Sequence, residues 1–197
     1  MSSKTERNEA AKARARELGA KLFSEKGYAE TTTRELAAAM EVTNGTFYYY
    51  FSSKEDLLYE ISKMALDEIS TAVADALAGA EGVENRIRAM IEAHMTTIMG
   101  SHQHSTVLTE LQWRALSEER RQEVIESRAE YETMLRNEIA AGQQEGILRT
   151  DSEATMLTLL LLNLMNWTIF WYRSERGVTK QRMIDEIEKQ FLRGASA

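Results

Sequence analysis

Cysteine and proline are both missing from the 197 residues. The first absence excludes disulfides and thiolate metal sites and suits a reducing cytoplasm, where the chain is expected to reside. The second removes the strongest helix breaker, so helices can run long and must be stopped by Gly, Asn, Ser or Thr. Glycines number only 10. Sustained apolar–polar alternation of the strand kind is lacking, and the charged start "MSSKTERNEAAKARARELG" holds no apolar stretch of the secretory type. What remains is an ordinary globular composition, 43% apolar and 28% charged, in a chain long enough to bury a core. The fold class is read as all-α, with about nine helices.

The net charge of −7 would repel phosphates if it were spread evenly. It is not. In Met1–Ser24, Lys4, Arg7, Lys12, Arg14, Arg16 and Lys21 outnumber Glu6, Glu9 and Glu17, and most of the acidic excess lies beyond residue 60. Local rather than total charge governs contacts at short screening lengths.

A first helix is expected from about Thr5 to Lys26, with Ala11, Ala15, Leu18 and Leu22 on one face and Gly27 as its stop. Thr32 and Glu35 have the spacing of a capping box for a short second helix. Thr43 suits the cap of a third, and Ser53, followed by Glu55 and Asp56, the start of a fourth that runs to about Ala78. Further on, helices are expected over 118–141, over 153–173 and over 180–192, the last with Ile184, Ile187 and Phe191 on one face. The stretch "TMLTLLLLNLMNWTIFWY" is about as long as a membrane span. Asn163 and Asn166 inside it, and Asp151 and Glu153 before it, favour a helix buried between its own domain and a second subunit instead.

The segment "VTNGTFYYYFSSKED" raises the functional question, because it gathers Phe47, Tyr48, Tyr49, Tyr50 and Phe51 behind Thr43, Asn44, Gly45 and Thr46. Helix, tight turn, helix is the outline of a helix-turn-helix, whose second helix enters the major groove N-terminus first. Small polar residues there can approach base edges and phosphates. Successive helical residues cannot all face one core, so Phe47 and Phe51 are assigned to the core and at least one tyrosine to the outside.

Over "TTRELAAAMEVTNGTFYYYFSSKEDLL" the chain resembles the DNA-binding signature of the TetR family of transcriptional regulators. Thr33, Leu36, Ala37, Val42, Thr43, Gly45, Phe47, Tyr48, Tyr50, Phe51, Lys54 and Leu57 fall on that pattern without gaps. One position departs: Glu41 stands where the family usually has the turn glycine, a place that often needs φ above zero. The resemblance implies a DNA-binding domain over residues 1–55 and a ligand-binding and dimerisation domain over 56–197. It implies a homodimer on a palindromic operator, most often a repressor, released by a small-molecule effector. By the same resemblance Asn44, Gly45 and Tyr49 face bases or sugars. Thr33, Arg34, Thr43, Thr46, Tyr48, Tyr50 and Lys54 complete the DNA-contact set.

The second half is similar to the TetR-type regulators of fatty-acid and steroid catabolism, whose effectors are acyl-CoA thioesters. A pocket of Met95, Met99, Trp113, Tyr131, Met134, Asn163, Trp167 and Phe170 would suit a long apolar ligand. Arg173 and Arg176 would meet its phosphates. The competing reading makes the same apolar residues plain core and Arg173 a cation at a helix C-terminus. Control by a protein partner instead of a small molecule is the alternative for the domain as a whole. Catalysis finds little footing: His94, His102 and His104 lack metal-ligand spacing on a helix, and no phosphate loop or nucleophile motif is present. No enzyme activity, cofactor, metal or membrane partner is expected.

Overall fold

Helices form all the regular structure among residues 2–100, 112–172 and 177–195, the residues that the computed structural model describes. The order is α1 (Ser2–Lys26), α2 (Thr33–Ala39), α3 (Asn44–Tyr50), α4 (Lys54–Gly79) and α5 (Val83–Ile98), then a 3-10 turn at Trp113–Ala115. It continues with α6 (Glu118–Gln144), α7 (Ala154–Asn166), the short α8 (Thr168–Trp171) and α9 (Lys180–Ala195). The all-α class read from the sequence stands. Two units separate by their internal packing: Met1–Leu66 with His104–Ile125, and Asp67–Gln103 with Glu126–Ala197.

In the first unit, α1 ends where Gly27 turns to φ 93 and its N–H bonds back to the Phe23 carbonyl at 2.8 Å. A side chain at such a φ would be strained, which is why glycine stands there. The core-facing stripe of α1 is Ala15, Ala20 and Phe23 rather than the Leu18–Leu22 edge, because Leu22 only flanks the cluster. Phe23 meets Leu36, Phe47, Phe51, Leu57, Leu58 and Ile61, all fully buried. Four helices thus share one apolar centre, which supplies most of the driving force for this small unit.

The caps are those the sequence announces. Thr32 and Glu35 close a reciprocal box at the start of α2. The Thr43 hydroxyl accepts the Thr46 N–H at 3.1 Å for α3. Ser53 Oγ accepts the Asp56 N–H at 3.0 Å, while Asp56 Oδ2 accepts the Ser52 N–H at 2.8 Å, so both serines tie the start of α4 to Asp56. Each such cap is worth about 1 kcal/mol.

In the second unit, α5 packs against α7 and α9. Ile87, Met90, Ile91 and Met95 of α5, Leu135 and Ile139 of α6, Leu161 and Met165 of α7 and Ile184 of α9 are buried. Arg86 grips Glu138 through both carboxylate oxygens, at 2.8 and 2.5 Å, and so ties α5 to α6. Gly142 makes a close approach: a Cβ there would stand 2.9 Å from Leu148 and 3.2 Å from Ile87. The long apolar run expected as one helix over 153–173 is broken at Trp167 into α7 and α8.

Candidate nucleic-acid interface and sensor core

The turn between α2 and α3 is built by backbone hydrogen bonds from Glu41 N–H to the Ala38 carbonyl (3.0 Å) and from Val42 N–H to the Ala37 carbonyl (2.9 Å). Glu41 adopts φ 57, the left-handed conformation that a glycine would take without cost. The turn delivers Thr43, Asn44 and Gly45 to the surface at the head of α3. Phe47 is fully buried against Phe51, with ring centroids 5.8 Å apart, and this anchor fixes the rotation of the short helix.

With Phe47 inward, Tyr48 is 53% and Tyr49 71% exposed, whereas Tyr50 is half-buried beside Tyr49. Two neighbouring large aromatics are thus presented to solvent on one short helix. Thr33 lies within 3.5 Å of the Tyr48 hydroxyl, so the start of α2 and the face of α3 meet at one patch. Thr46 is half-buried and shares a hydrogen bond with the Thr43 hydroxyl at 2.9 Å. Arg34 is exposed and carries no ion pair among the described residues.

Lys54 departs from the expected free phosphate contact. Its ammonium donates to the carbonyls of Tyr28 and Thr31, each at 2.8 Å, and sits 4.3 Å from the centre of the Tyr28 ring. All its strong bonding capacity goes to holding the α1–α2 turn. Lys26 is also occupied, ion-paired to Glu35, and that bond together with the Thr32 cap pulls the Glu35 carboxyl down to about 2.

The residues expected to line an effector pocket do not gather in one place. Met95, Met99 and Tyr131 are buried and Met134 is half-buried, all in the second unit. Trp113 belongs to the first unit, where it packs against that unit's core. Asn163 and Trp167 point outward: the Asn163 amide donates to the Leu159 carbonyl of its own helix, and Trp167 is 57% exposed with Phe170 against its ring. These two line an open groove of about 460 Å³ with Leu160, Leu164, Trp171 and Phe191. Arg173, with Arg176, His102 and His104, lies outside the described residues.

A polar centre that sequence reasoning passed over sits among the buried methionines. His94 of α5 is fully buried, with Nδ1 2.7 Å from the Tyr131 hydroxyl and Nε2 2.9 Å from Asn166 Oδ1. An amide oxygen only accepts, so Nε2 carries the proton and Nδ1 accepts from the tyrosine. Burial drives the imidazole down to about 4, against the raising effect of the Asn166 bond, and burial pushes the Tyr131 hydroxyl up. Both groups are therefore neutral near pH 7 and locked in one donor–acceptor order. A lone histidine in a helical stretch carries no sequence signal for such a role.

The comparisons with known proteins agree with this geometry. Residues 16–61 match the model of "Bacterial regulatory proteins, tetR family", and residues 80–195 match "Tetracyclin repressor-like, C-terminal domain". The chain belongs to the TetR family. It is a DNA-binding helix-turn-helix transcription regulator and not an enzyme. The HTH-type transcriptional repressor KstR2 of Rhodococcus jostii (strain RHA1) is 25% identical over 176 residues, covering 89% of this chain and 84% of that one. The crystal structure of the TetR-family regulator PfmR from Thermus thermophilus superposes with TM-score 0.84 at 30% identity, covering 91% of this chain and 97% of that one. AibR, solved in complex with isovaleryl coenzyme A and operator DNA, shares the fold with TM-score 0.84 at 20% identity, covering 91% and 97% of the two chains.

Proposed function

We propose that this TetR-family chain is a cytoplasmic homodimeric repressor that holds a palindromic operator and leaves it when a small apolar effector binds. The observation that carries the DNA half is the display of Thr43, Asn44, Gly45, Tyr48 and Tyr49 on a helix whose rotation is fixed by the buried Phe47. In this reading the DNA-binding domain covers residues 1–55 and the sensing and dimerisation domain residues 56–197. Asn44, Gly45 and Tyr49 meet bases or sugars, and Thr33, Arg34, Thr43, Thr46, Tyr48 and Tyr50 meet the backbone. Lys54 acts through the turn that it holds.

The dimer is assigned to the outer face of α7 and the groove beside α9. Leu159, Leu160, Leu164, Trp167 and Trp171 are all exposed there, and neighbouring exposed apolar side chains of this size mark interaction surfaces. A second copy rather than lipid covers it in this reading, because Gln190 and Arg149 border the same groove. Asn163, Trp167 and Phe170 are thereby moved from the effector to the dimer. The effector is assigned to the methionine-rich core around Met95, Met99, Tyr131 and Met134, which suits the flexible acyl chain of a CoA thioester. The acyl-CoA bound by the structural neighbour AibR supports that class. A ligand shifts the equilibrium only by its difference in affinity for the two states.

The test is a gel shift on DNA upstream of the chain's own gene, with and without acyl-CoA thioesters of graded length. Binding that one chain length abolishes is the expected result. Binding that survives every thioester overturns the effector class and favours a protein partner as the controlling signal. No binding to any palindrome at low salt overturns the DNA-reading assignment.

A further inference from the structure

We propose that Glu41 is a built-in counterion that restrains DNA affinity, holding Arg14 beside the recognition helix until a phosphate takes its place. The proposal rests on the DNA-reading assignment above. Glu41 is the one non-glycine residue with positive φ among the described residues. Glycine would fit this turn without strain, so the carboxylate is not there for the backbone's sake. It stands two residues before the Thr43 cap, with its side chain 81% exposed. Its oxygen lies 3.9 Å from the Arg14 guanidinium, itself 69% exposed. A groove formed by Ala10, Ala11 and Ala15 of α1 with Met40, Val42 and Tyr50 brings these two side chains to the same edge of the helix-turn-helix.

Six other cations of the first unit are held by partners within the chain. Lys12 and Arg16 are drawn to Glu60, Lys21 to Glu25, Lys26 to Glu35 and Arg120 to Asp56. Several of these pairs are partly shielded from water, and Lys54 is taken by carbonyls. Arg14 differs from these in that its partner is a loosely held carboxylate in the turn before the recognition helix, and from Arg34, which is exposed with no ion pair among the described residues. Exposed pairs of this kind contribute little and exchange readily. Near a duplex Arg14 would swap Glu41 for phosphate, and the abandoned carboxylate would stay within a screening length of the same phosphates. The cation gained and the anion left behind nearly cancel. The recognition helix, which carries no cation of its own, then rests on hydrogen bonds and aromatic contacts that are sensitive to fit, with Arg34 of α2 left to supply charge.

The experiment measures fluorescence anisotropy of the full-length protein on its operator duplex and on an unrelated duplex. Salt is varied from about 50 to 200 mM, the range over which phosphate contacts are strongly weakened. The variants are Glu41→Gln, Glu41→Asn, Arg14→Ala and the double variant Arg14→Ala with Glu41→Gln. Glu41→Gln is expected to bind both duplexes about tenfold tighter at low salt, with the log–log salt slope steeper by about 2 per dimer. Glu41→Asn, which tolerates the left-handed turn better, is expected to match it. In the Arg14→Ala background the gain is expected to shrink. If wild type binds and Glu41→Gln leaves affinity and slope unchanged, the counterion role is overturned. A change confined to Glu41→Asn overturns it as well, by pointing to turn geometry instead of charge. If wild type binds no duplex, the DNA-reading assignment falls and the counterion with it.

Discussion

Lys54 reaches across the first unit to the Tyr28 carbonyl at 2.8 Å, and its ammonium also lies 4.3 Å from the centre of the Tyr28 ring. One side chain from the head of α4 thus closes the turn that links α1 to α2. The Thr31 carbonyl takes a second bond at 2.8 Å. Replacing Lys54 by Met leaves those acceptors short of a charged donor, at a cost of about 2 kcal/mol. Urea unfolding followed by circular dichroism should show a lower midpoint with an unchanged slope. An unaltered midpoint would mean that water replaces the ammonium without loss.

Neighbouring aromatics of α3 should separate cleanly in their effects. Tyr49 is 71% exposed and Phe47 fully buried. Phe47→Ala is expected to lose about 3–5 kcal/mol of stability. Tyr49→Ala is expected to keep the wild-type melting temperature and lose operator affinity. Paired melting curves and anisotropy titrations check both, and a Tyr49→Ala protein that binds as tightly as wild type would remove Tyr49 from the interface.

Acid should loosen the second unit through His94. Its folded value of about 4 lies below the ordinary value of 6.5, so between those limits the unfolded chain holds the extra proton. Stability contributed by the neutral ring is complete above about pH 6.5 and lost as pH falls towards 4, by at most about 3 kcal/mol. Carboxylates titrate in part of the same window, so the readout is the difference between wild type and His94→Gln. Wild type should lose more stability than the variant between pH 6.5 and 4. Parallel curves would show that folding does not lower the proton affinity of His94.

Charge placed on the outer face of α7 should oppose assembly. Leu164 is exposed there beside Trp167 and Trp171 in the groove next to α9. Leu164→Glu would bury a carboxylate without a partner in each subunit of a dimer formed on this face. Sedimentation velocity should show a monomer at concentrations where wild type is dimeric. A dimer that persists would locate the subunit contact elsewhere.

The first unit was largely legible because its signals are local. The Thr32–Glu35 box, the Thr43 cap and the Phe47–Phe51 spacing each lie within a few residues, and the fold uses each as its spacing suggests. The core of the second unit was not legible in the same way. His94 finds Tyr131 and Asn166 at separations of 37 and 72 residues, and nothing near it in the chain marks it as different from a surface histidine. The break at Trp167 was hidden too, since no glycine or proline punctuates that apolar run. The expected pocket mixed inward and outward residues for a related reason: a helix that is apolar on all sides gives no phase from which to tell them apart.

The His94 ring bonds to α6 through one nitrogen and to α7 through the other, while itself belonging to α5. Sliding one of these helices breaks a bond of the buried ring, and the fully buried Tyr131 bond is the one water replaces least easily. The three segments are therefore coupled in their opening as well as in their packing. Their amides are expected to exchange with solvent as a single cooperative block. The ring thus acts as a latch: displacing one of the three helices releases its hold on the other two.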